Sequence, residues 1–329
     1  MNNIYNNIEG ISLPAPAHYY PFRSGRYDVN ANLKRLGFDF NNGNTDRNVF
    51  QIDHQWPQFR LEKENARTER SEKYICFDLF NSSLERAVNA WFLQQLSKEH
   101  EEYFESNANQ DGEMILNCRL SGENLHFDKN YTLVNNGVYI NGFDALAMQV
   151  QEDIAVVKLL PNGEDRLVAI HLCFPNHWAA ENKIGQSFLD AHKPVAGFDQ
   201  LAKHTKPLLK NMTKAGSFVR FAWGIATDTR LNHHPQAPEQ HPDGSHWHGR
   251  TFDSTQPEAY VRIERQVLTG LPEQDAFIFT IRTYFLEIKQ LSKDDRYLLA
   301  QAINSMSEAT LRYKGLADYH TNLTEWLRK

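Results

Sequence analysis

The most regular stretch of the sequence is AYVRIERQVLTGLPEQDAFIFTIRTYFLEI, residues 259–288. Valine and isoleucine alternate with polar residues over 259–268, and this period of two predicts a strand with one buried face. Arg265 falls on the apolar side of that strand, which makes it a candidate buried arginine. Residues 276–288 form a second β-favouring run, and the proline-containing segment 271–275 between the two runs predicts a hairpin connection.

Three further β-favouring runs lie upstream, at 145–159, 166–174 and 217–226. The first two are separated by Pro161–Asn162–Gly163, which is a hairpin signal. Residues 181–214 carry helical patterns interrupted by prolines. The order of two strands, a helical middle and three strands predicts an α+β fold. A PAS-like five-stranded antiparallel sheet, with helices inserted between its second and third strands, is one of several arrangements that this order allows.

Two longer helices flank these strands. Apolar residues at three- and four-residue spacings predict a helix over 83–104, in which Ser82 and Glu85 have capping-box spacing. The same spacing predicts a C-terminal helix over 292–313, which Ser292 can cap. Both patterns place apolar residues on one side, so each helix is expected to bury that side.

The first 60 residues show little periodicity. They are rich in asparagine, proline, glycine and aromatic residues, and we expect an extended arm that packs on the domain. The charged run at 61–73 predicts a solvated helix or a linker. We therefore divide the chain into an N-terminal arm and helical region (1–130), a core domain (131–290) and a C-terminal helix (291–329).

Composition excludes several classes of protein. The 329 residues include 35 Lys and Arg and 41 Asp and Glu, so the net charge is −6 and a nucleic-acid partner is not expected. No apolar run approaches the roughly 20 residues that a membrane-spanning helix needs. The N-terminal residues lack the basic and apolar regions of a secretory signal, and we expect a cytoplasmic protein without a membrane partner.

Nucleotide, flavin and iron–sulfur motifs are missing from the sequence. It contains no GxGxxG, and its three cysteines, Cys76, Cys118 and Cys173, are too far apart for a cluster or a disulfide framework. Such cysteines are typical of a reducing compartment, and Cys173 is expected to be a small buried residue. Without a CxxCH motif, any haem is expected to be bound non-covalently.

Six segments of the core domain carry a resemblance to a known family. The segments are Leu172–Trp178, Lys183–Gly185, Ala191–Val195, Arg220–Trp223, Arg262–Gln266 and Phe279–Tyr284. In order and spacing they are similar to the α subunits of haem-dependent oxidative N-demethylases. The resemblance extends over roughly residues 145–290, and the helix and arm before it fit more loosely.

The resemblance implies a PAS-like haem-binding domain over 131–290, holding a b-type haem. It also implies an enzyme that removes a methyl group from a small secondary amine with O2. Electrons are expected from a partner reductase subunit with flavin and iron–sulfur centres. A tetrahydrofolate-binding subunit is expected to handle the formaldehyde. This division of labour agrees with the missing flavin and iron–sulfur motifs.

The sequence departs from the family pattern at three places. Asn176–His177 stand where the family usually has Ser-Gly, Ala222 stands where it usually has asparagine, and Ala196 replaces a proline. The change at Ala222 has the most bearing on function, because an asparagine on that strand could orient a ligand or the substrate. The resemblance therefore leaves the amine substrate open.

His192 is the iron ligand that the resemblance implies. It lies late in a predicted helix, before Pro194, and in haem PAS domains the proximal ligand comes from the helical side of the pocket. A neutral imidazole is a common haem ligand. The alternative is a helix-terminal histidine stabilised by the helix dipole. His204 is the nearest rival ligand, and His171 is expected to be packed or on the surface.

Basic residues near the pocket are further candidates. Arginine can hold a carboxylate with two hydrogen bonds, so strand arginines could bind the haem propionates or lie over the distal face. Arg220 and Arg265 are taken as catalytic candidates. Arg262 is a cofactor-binding candidate, although pairing with Glu264 or a position on the solvated face is the favoured interpretation for it. Lys183, in a matching segment, is also a cofactor-binding candidate.

Glu264 is a catalytic candidate with two interpretations. It neutralises Arg265, which is favoured because a desolvated arginine needs a partner, or it binds a cationic amine. Trp223 and Phe221 fit a hydrophobic core and the walls of a flat apolar cofactor equally well. They are taken as a catalytic and a cofactor-binding candidate, respectively.

Two other functions stay open. A haem-PAS sensor of gas or redox state would use the same fold, although no output domain is visible on this chain. A family paralogue without haem or turnover is the second alternative, in view of Ala222 and Asn176–His177. Residues 233–248 contain five histidines and could bind a metal, but their proline and glycine content favours a loop without fixed geometry.

Overall fold

The computed structural model describes residues 10–28, 32–135, 137–193, 195–196, 205–214, 216–238 and 251–329. The strands in these residues are β1 (Lys34–Arg35), β2 (Ile75–Phe77), β3 (Phe104–Ala108), β4 (Met114–Cys118), β5 (Glu123–Phe127), β6 (Asp153–Leu159), β7 (Asp165–His171), β8 (Ser217–Ala226), β9 (Tyr260–Leu271) and β10 (Ala276–Glu287). The helices are α1 (Trp56–Arg70), α2 (Ser82–Glu99), α3 (Gly142–Ala147), α4 (Phe188–His192), α5 (Thr205–Met212), α6 (Lys293–Asn304), α7 (Glu308–Tyr313) and α8 (His320–Leu327).

Seven of these strands form one antiparallel sheet in the order β1-β8-β9-β10-β6-β7-β2. The α+β class is confirmed, and the five inner strands are the five that the sequence predicts. The strand count of five is wrong, because β1 and β2 extend the sheet at its two edges. With two and three residues, these edge strands are too short to show a period. Strands β3, β4 and β5 form a separate sheet.

Both predicted hairpins are present. Strands β9 and β10 pair without interruption along all 12 residues of each, and Asp275 turns the chain with a φ of 46°. Gly163 turns the chain between β6 and β7 with a φ of 82°, which glycine adopts easily. Its N–H donates to the carbonyl of Leu160 at 2.8 Å.

The first predicted strand is shorter than its apolar run. Residues 145–152 are not part of a strand, because the chain forms α3 first and β6 begins only at Asp153. The side chain of Asn141 caps α3 by accepting a hydrogen bond from the Asp144 N–H at 3.0 Å. All residues of α3 are buried. A short buried run has no period that separates helix from strand.

The start of α2 also differs from the prediction. Asn81, and not Ser82, caps the helix by accepting a hydrogen bond from the Leu84 N–H at 3.0 Å. Glu85 does not close a capping box. Its carboxylate instead accepts from the N–H of Gly142 at 3.2 Å, which ties α2 to α3.

The helices at the C-terminal end are shorter than predicted. Ser292 caps α6 as expected, and its hydroxyl accepts from the Asp295 N–H at 3.1 Å. The predicted single helix is divided into α6 and α7.

Among the described residues, none of the helices is both long enough and apolar enough to pass through a bilayer.

The charged run at 61–73 is not simply solvated, and that prediction is wrong for one face of α1. Lys63 is fully buried, and its Nζ donates to the carbonyls of Ala147 at 2.7 Å and Glu152 at 2.6 Å. Burial lowers the pKa of Lys63. Arg60, one turn earlier, is 5% exposed. The charged residues on this face hold α1 against the end of β6.

The two faces of the large sheet have different partners. The first face lies against α4 and α5 and encloses a cavity. The second face forms a core with α2, α3 and the small sheet on one side and with the N-terminal residues and the C-terminal helices on the other. Arg265 is on the second face, 1% exposed, and donates to the carbonyl of Asn48 at 2.8 Å. This confirms the predicted buried arginine. Arg282 forms an ion pair with Asp53 at 2.6 Å on the same face.

Candidate active site

A cavity of about 730 Å³ lies between the first face of the sheet and helices α4 and α5. Its volume lies in the range of ligand pockets, about 300–1,000 Å³. One part of its lining is apolar and comes from the sheet and from α5. These residues are Ala155, Val157, Leu268, Phe277, Phe279, Leu208, Leu209 and Met212. The other part is polar and holds most of the candidate residues.

His192 lines the cavity from the helical side, as the last residue of α4. Its Nδ1 lies 2.7 Å from the carbonyl oxygen of Phe188, so this nitrogen carries the proton and donates it. Nε2 then bears the lone pair, which is the tautomer that a metal-binding histidine needs. Burial lowers the pKa of His192 to about 4, and the charges of Arg220 and Lys183 act in the same direction. The imidazole is therefore neutral at pH 7.

Lys183 also lines the cavity and helps to position α4. Its Nζ donates to the carbonyl of Ala191, the residue before His192. Burial lowers the pKa of Lys183. The ammonium group is thus held beside His192 rather than extended into solvent.

Arg220 and Glu264 face the cavity from neighbouring strands. In the register of β8 and β9, Ala222 lies opposite Glu264 and Arg220 lies opposite Gln266, so the four side chains share one face. All four line the cavity. Burial lowers the pKa of Arg220, and the carboxylate of Glu264 counteracts this shift.

Glu264 does not neutralise Arg265, and that prediction is wrong. Successive residues of a strand point to opposite faces, so Arg265 lies away from the cavity and is not among its lining residues. The carboxylate of Glu264 accepts from Asn176 Nδ2 at 3.3 Å and from Gln266 Nε2 at 3.0 Å. Neutral amides orient a carboxylate without cancelling its charge. The geometry therefore fits the other interpretation, an acid that faces a cationic ligand.

Arg262 borders the cavity, but its guanidinium group holds the surrounding loops together. It donates to the carbonyls of Phe174 at 2.7 Å and Leu231 at 3.0 Å, and to His233 Nδ1 at 2.9 Å. Since Nδ1 of His233 accepts, its Nε2–H donates to Asp228 at 2.9 Å. The favoured interpretation of Arg262 is therefore wrong, because this residue is buried, not on a solvated face, and its partners are backbone carbonyls and a histidine in place of Glu264.

Trp223 and Phe221 alternate with the cavity-facing residues of β8. The ring of Phe221 packs 4.7 Å from Tyr19, and the ring of Trp223 packs 5.5 Å from Tyr27. Both still contribute to the cavity lining. Strand β1 pairs with only two residues of β8, so within the described residues the rest of β8 is an unpaired edge of the sheet at which the cavity contacts these two rings. Lys314 lies at this edge, where its Nζ donates to the carbonyl of Trp223 at 2.7 Å.

Several other polar residues of the lining were not predicted, among them Gln266, Asp153 and Tyr27. Gln266 shares the polar side of its strand with Glu264, so the period of two already placed it there. Asp153 and Tyr27 come from distant segments that carry no local signal. The carboxylate of Asp153 accepts from the Cys173 N–H at 2.7 Å, and burial raises the pKa of Asp153 to about 7.

The histidine-rich segment lies only partly in the described residues. His233 contacts Arg262, and His234 Nε2 lies 3.3 Å from the carboxylate of Glu181. His241, His246, His248 and the rival ligand His204 lie outside the described residues. Within the described part of the chain, no three histidine, cysteine or acidic side chains are grouped as a metal site.

His171 and Cys173 are fully buried outside the cavity lining. Nε2 of His171 lies 3.2 Å from the carboxylate of Asp144, and burial lowers the pKa of His171 to about 4. Burial also raises the pKa of the Cys173 thiol. Cys173 is therefore the small buried residue that its strand position predicted.

A family model covers most of this chain. The model for the haem-dependent oxidative N-demethylase, alpha subunit-like family matches residues 41–324. The chain belongs to this family. The match includes α1, α2 and the small sheet, so the N-demethylase-like region begins well before the segments that carry the resemblance.

Two departures of this N-demethylase-like chain from the family pattern lie together in the cavity lining. Asn176 donates to Glu264, and Ala222 lies directly opposite Glu264. His177, at a position where the family usually has glycine, has a left-handed φ of 62°, and its ring stacks on His233 at 5.2 Å. The altered residues thus belong to the polar part of the site.

Proposed function

We propose that this chain is the haem-binding α subunit of an oxidative N-demethylase, a monooxygenase-type enzyme that acts on a small secondary amine. The observation that carries the proposal is the hydrogen bond from His192 Nδ1 to the carbonyl of Phe188. Histidines that ligate a metal use their other ring N–H in this way, which fixes the tautomer and the ring orientation. This hydrogen bond supports His192 as the proposed axial ligand.

A non-covalent b-type haem fits the lining of the cavity. The apolar side chains of the sheet and α5 suit the faces of the macrocycle, and Phe221 and Trp223 would border its edge. Lys183 and the exposed Arg26 and Lys34 supply positive charge for the propionates. When bound, haem supplies a redox-active iron for oxidation by O2.

The polar residues are proposed to bind the amine. Glu264 carries a negative charge that two neutral amides orient, and it suits a protonated amine. Ala222 opposite it leaves space beside the carboxylate. Arg220 faces the same space. Arg265 has no part in this site, because it lies on the other face of the sheet.

The overall reaction converts a methylamine, R–NH–CH3, with O2, two electrons and two protons into R–NH2, formaldehyde and water. We propose that the electrons come from a partner reductase subunit with flavin and iron–sulfur centres. A tetrahydrofolate-binding subunit is the proposed acceptor of the formaldehyde. The five strands β8-β9-β10-β6-β7, with helices between β7 and β8, support a PAS-like haem domain.

An absorption spectrum of the protein, expressed with ample haem supply, tests this proposal. We expect a Soret band at near-stoichiometric occupancy that shifts on reduction with dithionite. Secondary amines should then stimulate O2 uptake and formaldehyde release when a reductant is supplied. The lack of a Soret band after reconstitution with hemin would contradict the proposal and favour a paralogue without haem. A haem spectrum without any amine-dependent O2 uptake would favour a sensor.

A further inference from the structure

Two opposite charges face the same cavity without forming an ion pair. Arg220 and Glu264 lie at diagonal positions of adjacent antiparallel strands, where residues are about 7–8 Å apart. Among the described residues, Arg220 has no hydrogen-bonded acceptor and no carboxylate within ion-pair distance, and its Nε is buried. Burial lowers the pKa of Arg220, as expected for a guanidinium group removed from water.

Within the described part of the chain, the carboxylate of Glu264 likewise has no cation at ion-pair distance; its hydrogen-bond donors are neutral. Each of its carboxylate oxygens accepts one hydrogen bond from a neutral amide, Asn176 or Gln266. These two amides hold the carboxylate in a fixed orientation. The residue opposite, Ala222, has a side chain of one methyl group, so this position of β8 adds no long side chain beside the carboxylate.

A charge that is partly removed from water is stabilised by an opposite charge, and within the described residues neither Arg220 nor Glu264 has one at ion-pair distance. The nearby Arg262 is not available to Glu264, because its guanidinium group is engaged with Phe174, Leu231 and His233. A ligand that carries both a cation and an anion would complement this pair of charges. A guanidinium group also favours a planar carboxylate, which it can bind with two hydrogen bonds.

We propose that the substrate is a zwitterion, an N-methylated amino acid whose secondary ammonium group binds Glu264 and whose carboxylate binds Arg220. This inference rests on the proposed function, since the N-methyl group is what the haem enzyme would oxidise. It names a substrate class in which a carboxylate accompanies the amine. The competing role for Arg220 is to bind a haem propionate.

Calorimetric titration of the full-length protein, with and without haem, tests the proposal. The probes are sarcosine, N-methyl-β-alanine and N-methyl-4-aminobutyrate, each compared with an N-methylalkylamine of equal length without the carboxylate. At least one zwitterion should bind about tenfold more tightly than its matched amine. If no zwitterion binds more tightly than its matched amine, the proposal is overturned.

Two variants assign the charges to their partners. Arg220→Gln should weaken binding of the preferred zwitterion about tenfold and leave the matched amine unchanged, whereas Glu264→Gln should weaken both. Arg312→Gln, an exposed arginine, is the control and should change neither. An Arg220→Gln protein that loses its Soret band but keeps the zwitterion preference would assign Arg220 to the cofactor and overturn the proposal.

The binding measurement separates this inference from the proposed function. A zwitterion preference in the haem-free protein, without formaldehyde release from the haem-loaded one, would support the ligand class and contradict the reaction. Formaldehyde release from simple amines, without any zwitterion preference, would support the reaction and contradict the ligand class. Should Arg220→Gln fail to fold, the comparison of probes on the unmodified chain still decides between these outcomes.

Discussion

At the scale of single residues, the hydrogen-bond partners of each arginine separate those that stabilise the fold from the one that faces the cavity. Arg265 and Arg282 are both fully enclosed, and each has acceptors at hydrogen-bond distance, from Asn48 or Asp53. Arg220 lies on the cavity face, where the described residues offer it no such acceptor. Three arginines with similar strand patterns therefore have different roles, because a guanidinium group removed from water needs hydrogen-bond acceptors or an opposite charge, from the fold or from a ligand.

Replacement of His192 tests the proposed axial ligand. His192→Ala should abolish retention of haem, because the variant lacks the neutral imidazole held by the Phe188 carbonyl. The haem-to-protein ratio after gel filtration measures this. His126→Ala is the matched control, since this histidine is exposed on β5 and should leave the ratio unchanged. Normal haem content in His192→Ala would eliminate the ligand assignment.

His171 should make stability depend on pH below neutrality. Its folded pKa of about 4 lies under its ordinary value of 6.5, so between these pH values the unfolded chain binds a proton that the folded chain does not. Stability is therefore lost as the pH falls from 6.5 towards 4, by roughly 3 kcal/mol from this group.

Urea unfolding of His171→Gln across this pH range measures that contribution. The variant should lose stability less steeply than the unmodified protein as the pH falls, because glutamine does not titrate. Asp144 keeps its hydrogen bonds from Arg67 and the Ile140 N–H in the variant. His126→Gln is the control and should follow the unmodified protein. Parallel curves for His171→Gln and the unmodified protein would contradict the assignment.

At the scale of elements, side chains outside the periodic pattern decide where helices begin. Asn81 and Asn141 each cap a helix through a hydrogen bond to a backbone N–H. The sequence offered Ser82 as a cap equally well. The choice between neighbouring residues depends on where the chain enters the helix, and contacts with α3 set this for α2.

Two alanine substitutions test the cap of α2. Asn81→Ala should lower the free energy of unfolding by about 1 kcal/mol, because the N–H of Leu84 loses its acceptor. Ser82→Ala should change it by less than about 0.5 kcal/mol, since Ser82 is exposed and makes no capping bond. Urea denaturation monitored by circular dichroism gives both values. A larger loss of stability in Ser82→Ala than in Asn81→Ala would contradict this cap and favour the capping box of Ser82 and Glu85.

At the scale of the whole molecule, buried charges join the N-terminal residues to the sheet. Asp53 and Arg282 pair at 2.6 Å although 229 residues separate them. Lys63 links α1 to the end of α3 and to the residue before β6, through the carbonyls of Ala147 and Glu152. The second face of the sheet is thereby closed by chain segments from both ends, which leaves the first face to form the cavity.

Removal of one partner tests this connection. Asp53→Ala should lower the free energy of unfolding by about 3–5 kcal/mol, because Arg282 is left as a buried charge without its carboxylate. Glu308→Ala breaks the exposed pair with Arg312 and should have an effect of about 0.5 kcal/mol or less. Equal changes in the free energy of unfolding for the two substitutions would show that the buried pair stabilises the protein no more than the exposed pair.

The sequence by itself determined the inner strands, both hairpins and the burial of Arg265. These features are encoded locally, since a period of two assigns each residue of a strand to one of its faces. The edge strands, the short helix α3 and the caps were beyond this reasoning, because they are too short to show a period or depend on contacts elsewhere.

Only the tertiary structure decided which charges meet. Strand alternation placed Arg262, Glu264 and Gln266 on one face. It did not predict that Asn176, 88 residues away, would donate to Glu264, or that Arg262 would donate to the carbonyls of the loops. The physical reason is that the partner of a buried charge depends on how distant segments pack. A pattern within one strand carries no information on that packing.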